Sequence, residues 1–367
     1  MAEKAIRLGG ESTADAIVSA VDTMYSEHTF DEKDFVLKHN DDEIAVDSNF
    51  AAQSFWKDVR IRFFRKKSAV LGLIMIFIIL LLAIFGPGMN DYTYSGQDLS
   101  QKNFAPRVPG IEQFGILDGS EKMSTTTGTK IVNNYVEKGK DDVYYWFGSD
   151  LYGRDIWTRT WEGARVSLII AVAAAVIDMV IGMSYGLISG YFGGKVDMVM
   201  QRFLEVANGI PRLVIVTLLL LVLQPGMVTI IFALMLTEWV GMSRIARAEM
   251  LKLKDQEFVL ASRTLGAGSF FIIFKEVLPN IIGPIITQVM FSIPTAIFTE
   301  AFLSFVGLGI PVPQCSLGSL ISELYNSFTT HPYQIIPPIV VMSLLMLSFN
   351  LLADGLREAL DPKMKSM

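Results

Sequence analysis

The chain reads as an all-α polytopic membrane protein of six transmembrane helices with a small extracytoplasmic insertion, and three observations predict this class. Of its 367 residues, 51% are hydrophobic and only 19% are charged, where soluble domains carry about 25% charge. The apolar residues gather into six long runs, each near the roughly 20 residues that a helix needs to cross a bilayer. Basic residues crowd the ends of those runs that a positive-inside arrangement would place on one side of the membrane.

Residues 1–67 form an acidic cytoplasmic N-terminal tail. Positions 1–50 hold twelve Asp/Glu against four Lys/Arg, so the net charge of −6 belongs largely to this tail. Within it Ala14, Ile17, Val18, Val21 and Met24 follow helical spacing, with Ser12 or Thr13 available as N-cap. Two readings fit: an amphipathic helix that docks on a partner, and a solvated acidic tail with transient helix. The start MAEKAIRLGG has no apolar core ahead of a small-residue cleavage site, so no cleavable signal peptide is expected.

The first span, 68–87, opens on SAVLGLIMIFIILLLAIF, a stretch without a single charge. Five more spans, at about 165–188, 203–223, 227–243, 281–305 and 335–353, make up a core at 161–357. The fourth is the weakest, because Glu238 and Gly241 cut into it. Lys57, Arg60, Arg62, Arg65, Lys66 and Lys67 precede the first span and place the N-terminus in the cytoplasm. Six spans then return the loop 244–280, which carries Arg244, Arg247, Lys252, Lys254, Arg263 and Lys275, and the C-terminal tail 358–367, with Arg357 just before it and Lys363 and Lys365 within it, to that side. The segment 306–334 has no Lys or Arg and falls outside. Arg154, Arg159 and Arg165 sit on the outer side against the rule, which long translocated segments escape.

The insertion, 88–160, is too long for a connector. It is rich in Gly, Asn, Asp, Thr and Tyr, with Pro87, Pro106 and Pro109 as breakers, and the alternation at Lys130–Asn133 suggests short strands. Loops of this length are functional or disordered more often than idle.

Several chemistries find no support. The one cysteine, Cys315, excludes an internal disulfide and a cysteine metal cluster. The three histidines, His28, His39 and His331, lie outside every span and form no His-Glu-x-x-His. Gly193-Gly194-Lys195-Val196 lacks the Ser/Thr and the glycine spacing of a phosphate loop, and no Gly-x-Ser-x-Gly elbow is present. No catalytic residue, no metal site and no nucleic-acid partner is therefore expected.

Two features remain as functional candidates. In the loop from Gln256 to Asn280, Phe258, Ala261 and Leu265 share one helical face while Glu257, Ser262, Arg263 and Thr264 face elsewhere. Gly266 suits a left-handed stop, and Leu278-Pro279 leads into the next span. Such a segment is either a rigid element that transmits a push or an amphipathic helix resting on its own lipid headgroups. Asp178, Glu238 and Glu300 are ionisable residues within spans, which are costly there. Each is a candidate for lining a translocation path or for an ordinary helix–helix contact.

The stretch QEFVLASRTLGAGSFFIIFKEVLPN (256–280) resembles the cytoplasmic "EAA" loop of ABC-importer permeases, with an acidic residue, small residues, Gly266 and a Leu-Pro ending at Pro279. Four further segments are similar to the oligopeptide/dipeptide/nickel branch of that family. They are FGSDLYGRDIWTRTWEGARVSL (147–168), GYFGGKVDMVMQRFLEVANGIPRL (190–213), EAFLSFVGLGIPVP (300–313) and NLLADGLREALDP (350–362). Together they cover most of 147–362 in order. Glu276 departs from the isoleucine of many permeases, and a polar residue there is usual in peptide permeases. The N-terminal 50 residues and 88–146 lie outside the shared pattern.

The resemblance implies a type I ABC importer permease fold and the second, C-type, of two homologous permease subunits. Glu257, Phe258, Ala261, Ser262, Arg263, Leu265, Gly266 and Ala267 would then form the coupling helix that enters a groove on a separate ATPase. The implied partners are the homologous permease, two cytosolic ABC ATPases, an extracytoplasmic peptide-binding protein or lipoprotein, the bilayer and a peptide. The chain would bind no cofactor, with ATP and Mg on the partner subunits, and it would sit in a bacterial plasma membrane with both termini cytoplasmic. Oligopeptides are the expected substrate, with dipeptides or nickel as alternatives. A non-transporting scaffold or sensor, with 88–160 as its ligand module, is the reading from another class.

Overall fold

The computed structural model describes residues 55–125 and 128–360. Residues 1–54 of the acidic tail, with the helical periodicity at 14–24, and residues 361–367 lie outside them, while the rest of the expected tail is helical. Helix α1 (Phe55–Arg65) ends one residue before α2 (Lys67–Phe85). After the insertion come α3 (Ile156–Phe192), the pair α4 (Gly194–Gly209) and α5 (Arg212–Val222), and α6 (Met227–Leu253). The short α7 (Glu257–Thr264) leads to the long α8 (Ser269–Leu308), and α9 (Leu317–Tyr325) and α10 (Ile336–Leu360) close the bundle.

Among the described residues, five helices are long and apolar enough to span a bilayer, and α4 with α5 makes a sixth only as a bent pair. The expected third span, 203–223, is therefore not one straight helix. Its two halves meet at 78°, because Pro211 has no amide hydrogen to continue α4 and holds Ile210 extended, at φ −82° and ψ 124°. The fourth run, by contrast, is not cut at Glu238, whose backbone is helical and continues α6 to Leu253. Helix α3 starts well before residue 165, because the Asp155 side chain caps it by accepting from the Thr158 amide at 2.8 Å.

Lipid tails are as apolar as leucine, so the helices associate by close packing over small residues. Gly182, Gly186 and Gly190 form a stripe on α3 at four-residue spacing, pressed against α6. A Cβ on Gly182 would lie 2.6 Å from the Trp239 carbonyl oxygen, and one on Gly190 2.8 Å from Met250 Cβ. Helix α2 meets α10 in the same way, where a Cβ on Gly72 would lie 2.8 Å from the Ser348 carbonyl oxygen. Gly241, on α6, has nothing within 4 Å of its would-be Cβ. Gly186→Val should therefore cost about 1–3 kcal/mol by overpacking α3 against Ser243 and Ala246, while Gly241→Ala should be neutral or slightly stabilising. Thermal unfolding of the two variants in detergent checks the contrast.

One end of the bundle carries α1, α7 and the end of α10. Val59 and Phe63 of α1 pack with Ala359 and Leu360, and Gly283 of α8 lies against Leu360. The other end carries the insertion. It is a packed unit with Phe104, Tyr135 and Tyr145 as its buried core. The alternation at 130–133 forms β2 (Gly128–Asn133), antiparallel to β1 (Ser120–Thr125). Glu121 of β1 meets buried His331 at 2.9 Å, and Gln334 donates to Asn103 and to the Ser149 carbonyl at 3.0 and 2.9 Å. The insertion is thus bonded to the segment that starts α10.

Candidate functional site

Helix α7 has a defined end. Gly266 lies at φ +85°. Its amide donates to the Arg263 carbonyl and the Ala267 amide donates to the Ser262 carbonyl, both at 3.0 Å. These paired bonds are the Schellman stop, which requires a left-handed residue at the glycine position. Val259 is fully buried and joins α7 to a cluster with Leu187 of α3, Met242 and Ala246 of α6, and Ile272 and Ile281 of α8. The Arg263 guanidinium lies 5.5 Å from the centre of the Tyr191 ring. Val259 thus joins α7 to three spanning helices at once.

The apolar face read from the sequence points away from the bundle. Phe258 is 38% exposed and Leu265 88%. Glu257, Ala261, Arg263 and Gly266 are also exposed, and Ser262 and Ala267 are half-buried. The spacing of Phe258, Ala261 and Leu265 does not mark the residue that anchors the helix, Val259, which belongs to the same apolar run but turns to the bundle side.

The three carboxylates within spans do not form one site. Glu300 is fully buried and accepts from Ser316 Oγ at 2.5 Å, Ser304 Oγ at 2.7 Å and Ser167 Oγ at 3.3 Å. Ser316 is in turn the N-cap of α9, in a reciprocal pair with Ser319. Glu300 thus ties α8 to α3 and α9, and the structure gives it no accessible surface on this chain. Asp178 lies one turn before Gly182 on α3, and Glu238 adjoins Trp239 of α6, which Gly182 meets. Asp178 is buried in a π-turn of α3, and Glu238 is half-buried, with Thr299 Oγ1 at 3.5 Å. Thr237 and Val240, on either side of Glu238, line a cavity of about 180 Å³ at the α4–α5 bend, together with Asn208 and Pro211.

A charged knot closes the insertion end. Asp150 Oδ2 accepts from Arg154 Nε and from Arg159 Nη1, each at 2.7 Å. Glu323 of α9 accepts from Arg159 Nη2 at 2.7 Å and also pairs with Arg154. Both guanidiniums are essentially inaccessible. Arg165 donates to the Ala83 and Ile84 carbonyls, at 2.9 and 3.1 Å, and so caps the end of α2. Of the basic residues that ran against the charge rule, Arg154 and Arg159 are therefore spent inside the protein, and Arg165 is paired with backbone carbonyls at its surface. Glu323 had no local signal, since its partner Arg159 is 164 positions away.

Burial alone would push the Glu323 carboxyl up, but Arg159 and Arg154 outweigh it and hold the group below the usual carboxylate range. A carboxylate depressed on folding stabilises above its unfolded pKa and loses that contribution as pH falls through the folded value. The docking of α9 should accordingly be intact at neutral pH and weaken only in acid, below the ordinary glutamate range. Protease sensitivity of the 306–334 segment across pH, compared with Glu323→Gln, reads this out. The variant should lack the acid transition.

The model of the binding-protein-dependent transport system inner membrane component family matches residues 182–366, and that of the N-terminal transmembrane domain of oligopeptide transport permease C matches 54–106. The oligopeptide transport system permease protein OppC of Bacillus subtilis is 41% identical over 312 residues, covering 85% of this chain and 91% of that one. The dipeptide transport system permease protein DppC of Lactococcus lactis subsp. cremoris is 42% identical over 318 residues, covering 85% and 92%. Among solved structures, a chain of the inward-facing MetNI methionine ABC transporter aligns at 16% identity and a TM-score of 0.47, over 54% of this chain and 94% of that one. Fold and relatives define a multi-pass membrane permease, a transport component rather than an enzyme. The chain belongs to the binding-protein-dependent transport system inner membrane component family and is an ABC-importer permease.

Proposed function

We propose that this permease is the C-type subunit of an oligopeptide importer and that α7 is its coupling helix. The observation that carries the reading is the geometry of α7. Its outward apolar face, with Phe258, Ala261 and Leu265, is held on a rigid stop and anchored through Val259. An exposed apolar face at the end of a membrane bundle suits a soluble protein partner, and two cytosolic ATPases fit that place. In this reading α1, α7 and the end of α10 face the cytoplasm, as does the N-terminal tail. The insertion faces outward, towards a peptide-binding protein or lipoprotein, and the second half of the pathway comes from a homologous permease in a bacterial plasma membrane. The chain binds no cofactor, and ATP and Mg sit on the ATPases. Closure of the ATPases then presses on α7 and rocks α3, α6 and α8, biasing the cavity between its two faces by their differential affinity for the nucleotide state.

A dipeptide importer is the second reading, favoured by the 42% identity to a dipeptide permease. Gentle detergent extraction of the tagged chain, with mass spectrometry of what accompanies it, tests the whole assembly. Two ATPases, a second permease and a peptide-binding protein are expected. A chain that purifies alone would overturn the proposed assembly.

A further inference from the structure

We propose that α1 is a binding surface for the headgroups of anionic phospholipids. A single residue, Lys66, separates it from α2, which enters the membrane, so α1 has to lie at the boundary between bilayer and water. Its position is fixed by packing: Val59 and Phe63 are buried against Ala359 and Leu360 at the end of α10, and Lys66 pairs with Glu358. What remains uncovered is a mixture of two kinds of side chain. Trp56 and Phe64 are each 56% exposed, and Ile61 is 40% exposed. Between them Lys57, Arg60 and Arg65 are exposed too. The one acidic residue of the helix, Asp58, is already held by Arg62.

Bulky apolar rings interleaved with cations are what a helix needs to lie in the headgroup layer, with rings in the acyl boundary and cations among the phosphates. A soluble acidic partner would satisfy the cations but leave the rings in water. An uncharged lipid surface would cover the rings and leave the cations without counterions. Anionic lipid satisfies both, and each basic residue near such a surface contributes about 1 kcal/mol, or roughly fivefold in partitioning. The acidic residues 1–50 of this same chain are the competing occupant, because their charge is complementary too.

The test uses the full chain, with its co-purifying subunits, in vesicles of phosphatidylcholine that contain either brominated phosphatidylglycerol or brominated phosphatidylcholine at about 30 mol %. Bromine quenches nearby tryptophan, and Trp56→Phe identifies the share of quenching that belongs to α1. Quenching of that share should be at least about twofold stronger with the anionic lipid. Lys57→Gln/Arg60→Gln/Arg65→Gln should abolish the preference while leaving the quenching of the other tryptophans unchanged, which a misfolded chain would not do. Equal quenching by both lipids would overturn the proposal. A preference that emerges only after residues 1–50 are deleted would also overturn it, assigning the surface to the tail.

Discussion

Gly266→Pro is expected to bring uptake of labelled peptide down to background, a loss of more than about tenfold, while the permease still reaches the membrane at normal levels. The argument is local and steric. Gly266 stands at φ +85°, a region closed to proline, whose ring fixes φ near −65°. Proline also removes the amide that donates to Arg263, so the Schellman stop is lost and α7 frays into the loop before α8. Val259 would remain in its cluster, because the change lies beyond it, and the spanning helices keep their packing. Only the stiffness between the exposed face and the bundle is removed. Glu257→Arg reaches the same result by another route: it puts a cation at the N-terminal end of α7, where the helix dipole disfavours it, on the exposed face. Normal transport by both variants would remove α7 from the mechanism.

The second large effect concerns stability rather than transport. Arg159→Met leaves Asp150 and Glu323 with only Arg154 between them, in a site where neither guanidinium touches water. Removing one partner of a buried ionic network costs about 3–5 kcal/mol, because the remaining charge stays buried without compensation. The expected result is a sharply lower unfolding temperature in detergent and an insertion that becomes sensitive to protease. Adding Glu323→Gln to Arg159→Met removes the stranded charge and should recover part of the loss. A double variant as unstable as the single one would mean that the arginine acts by packing, and that the network is not what holds α9.

The spans were legible because bilayer thickness imposes one strong constraint, a long apolar run, and the first run meets it without a charge. The details that differ come from geometry that runs of residues do not express. The break at Ile210–Pro211 turns an expected straight span into a bent pair, and the proline was visible but the 78° was not. Glu238 looked like an interruption of the fourth span, yet a single half-buried carboxylate leaves α6 helical. The stop at Gly266 was readable, since a left-handed cap has a strong residue preference. The anchor Val259 was not, since which apolar face of a short helix turns inward depends on the cluster waiting for it. The buried charge network was the least visible, because Asp150, Arg154 and Arg159 are close in sequence while Glu323 comes from the far end of the chain.

The most direct test of the account is a photo-cross-link from α7. Leu265 is 88% exposed and the native Cys315 is buried, so Leu265→Cys gives one accessible thiol among the described residues. Membranes carrying this variant, labelled on the new thiol with benzophenone maleimide and irradiated, should show an adduct whose second component is an ATP-binding protein. The yield should change with the nucleotide supplied. An adduct with some other protein, or none although the thiol is fully labelled, would contradict the coupling role of α7.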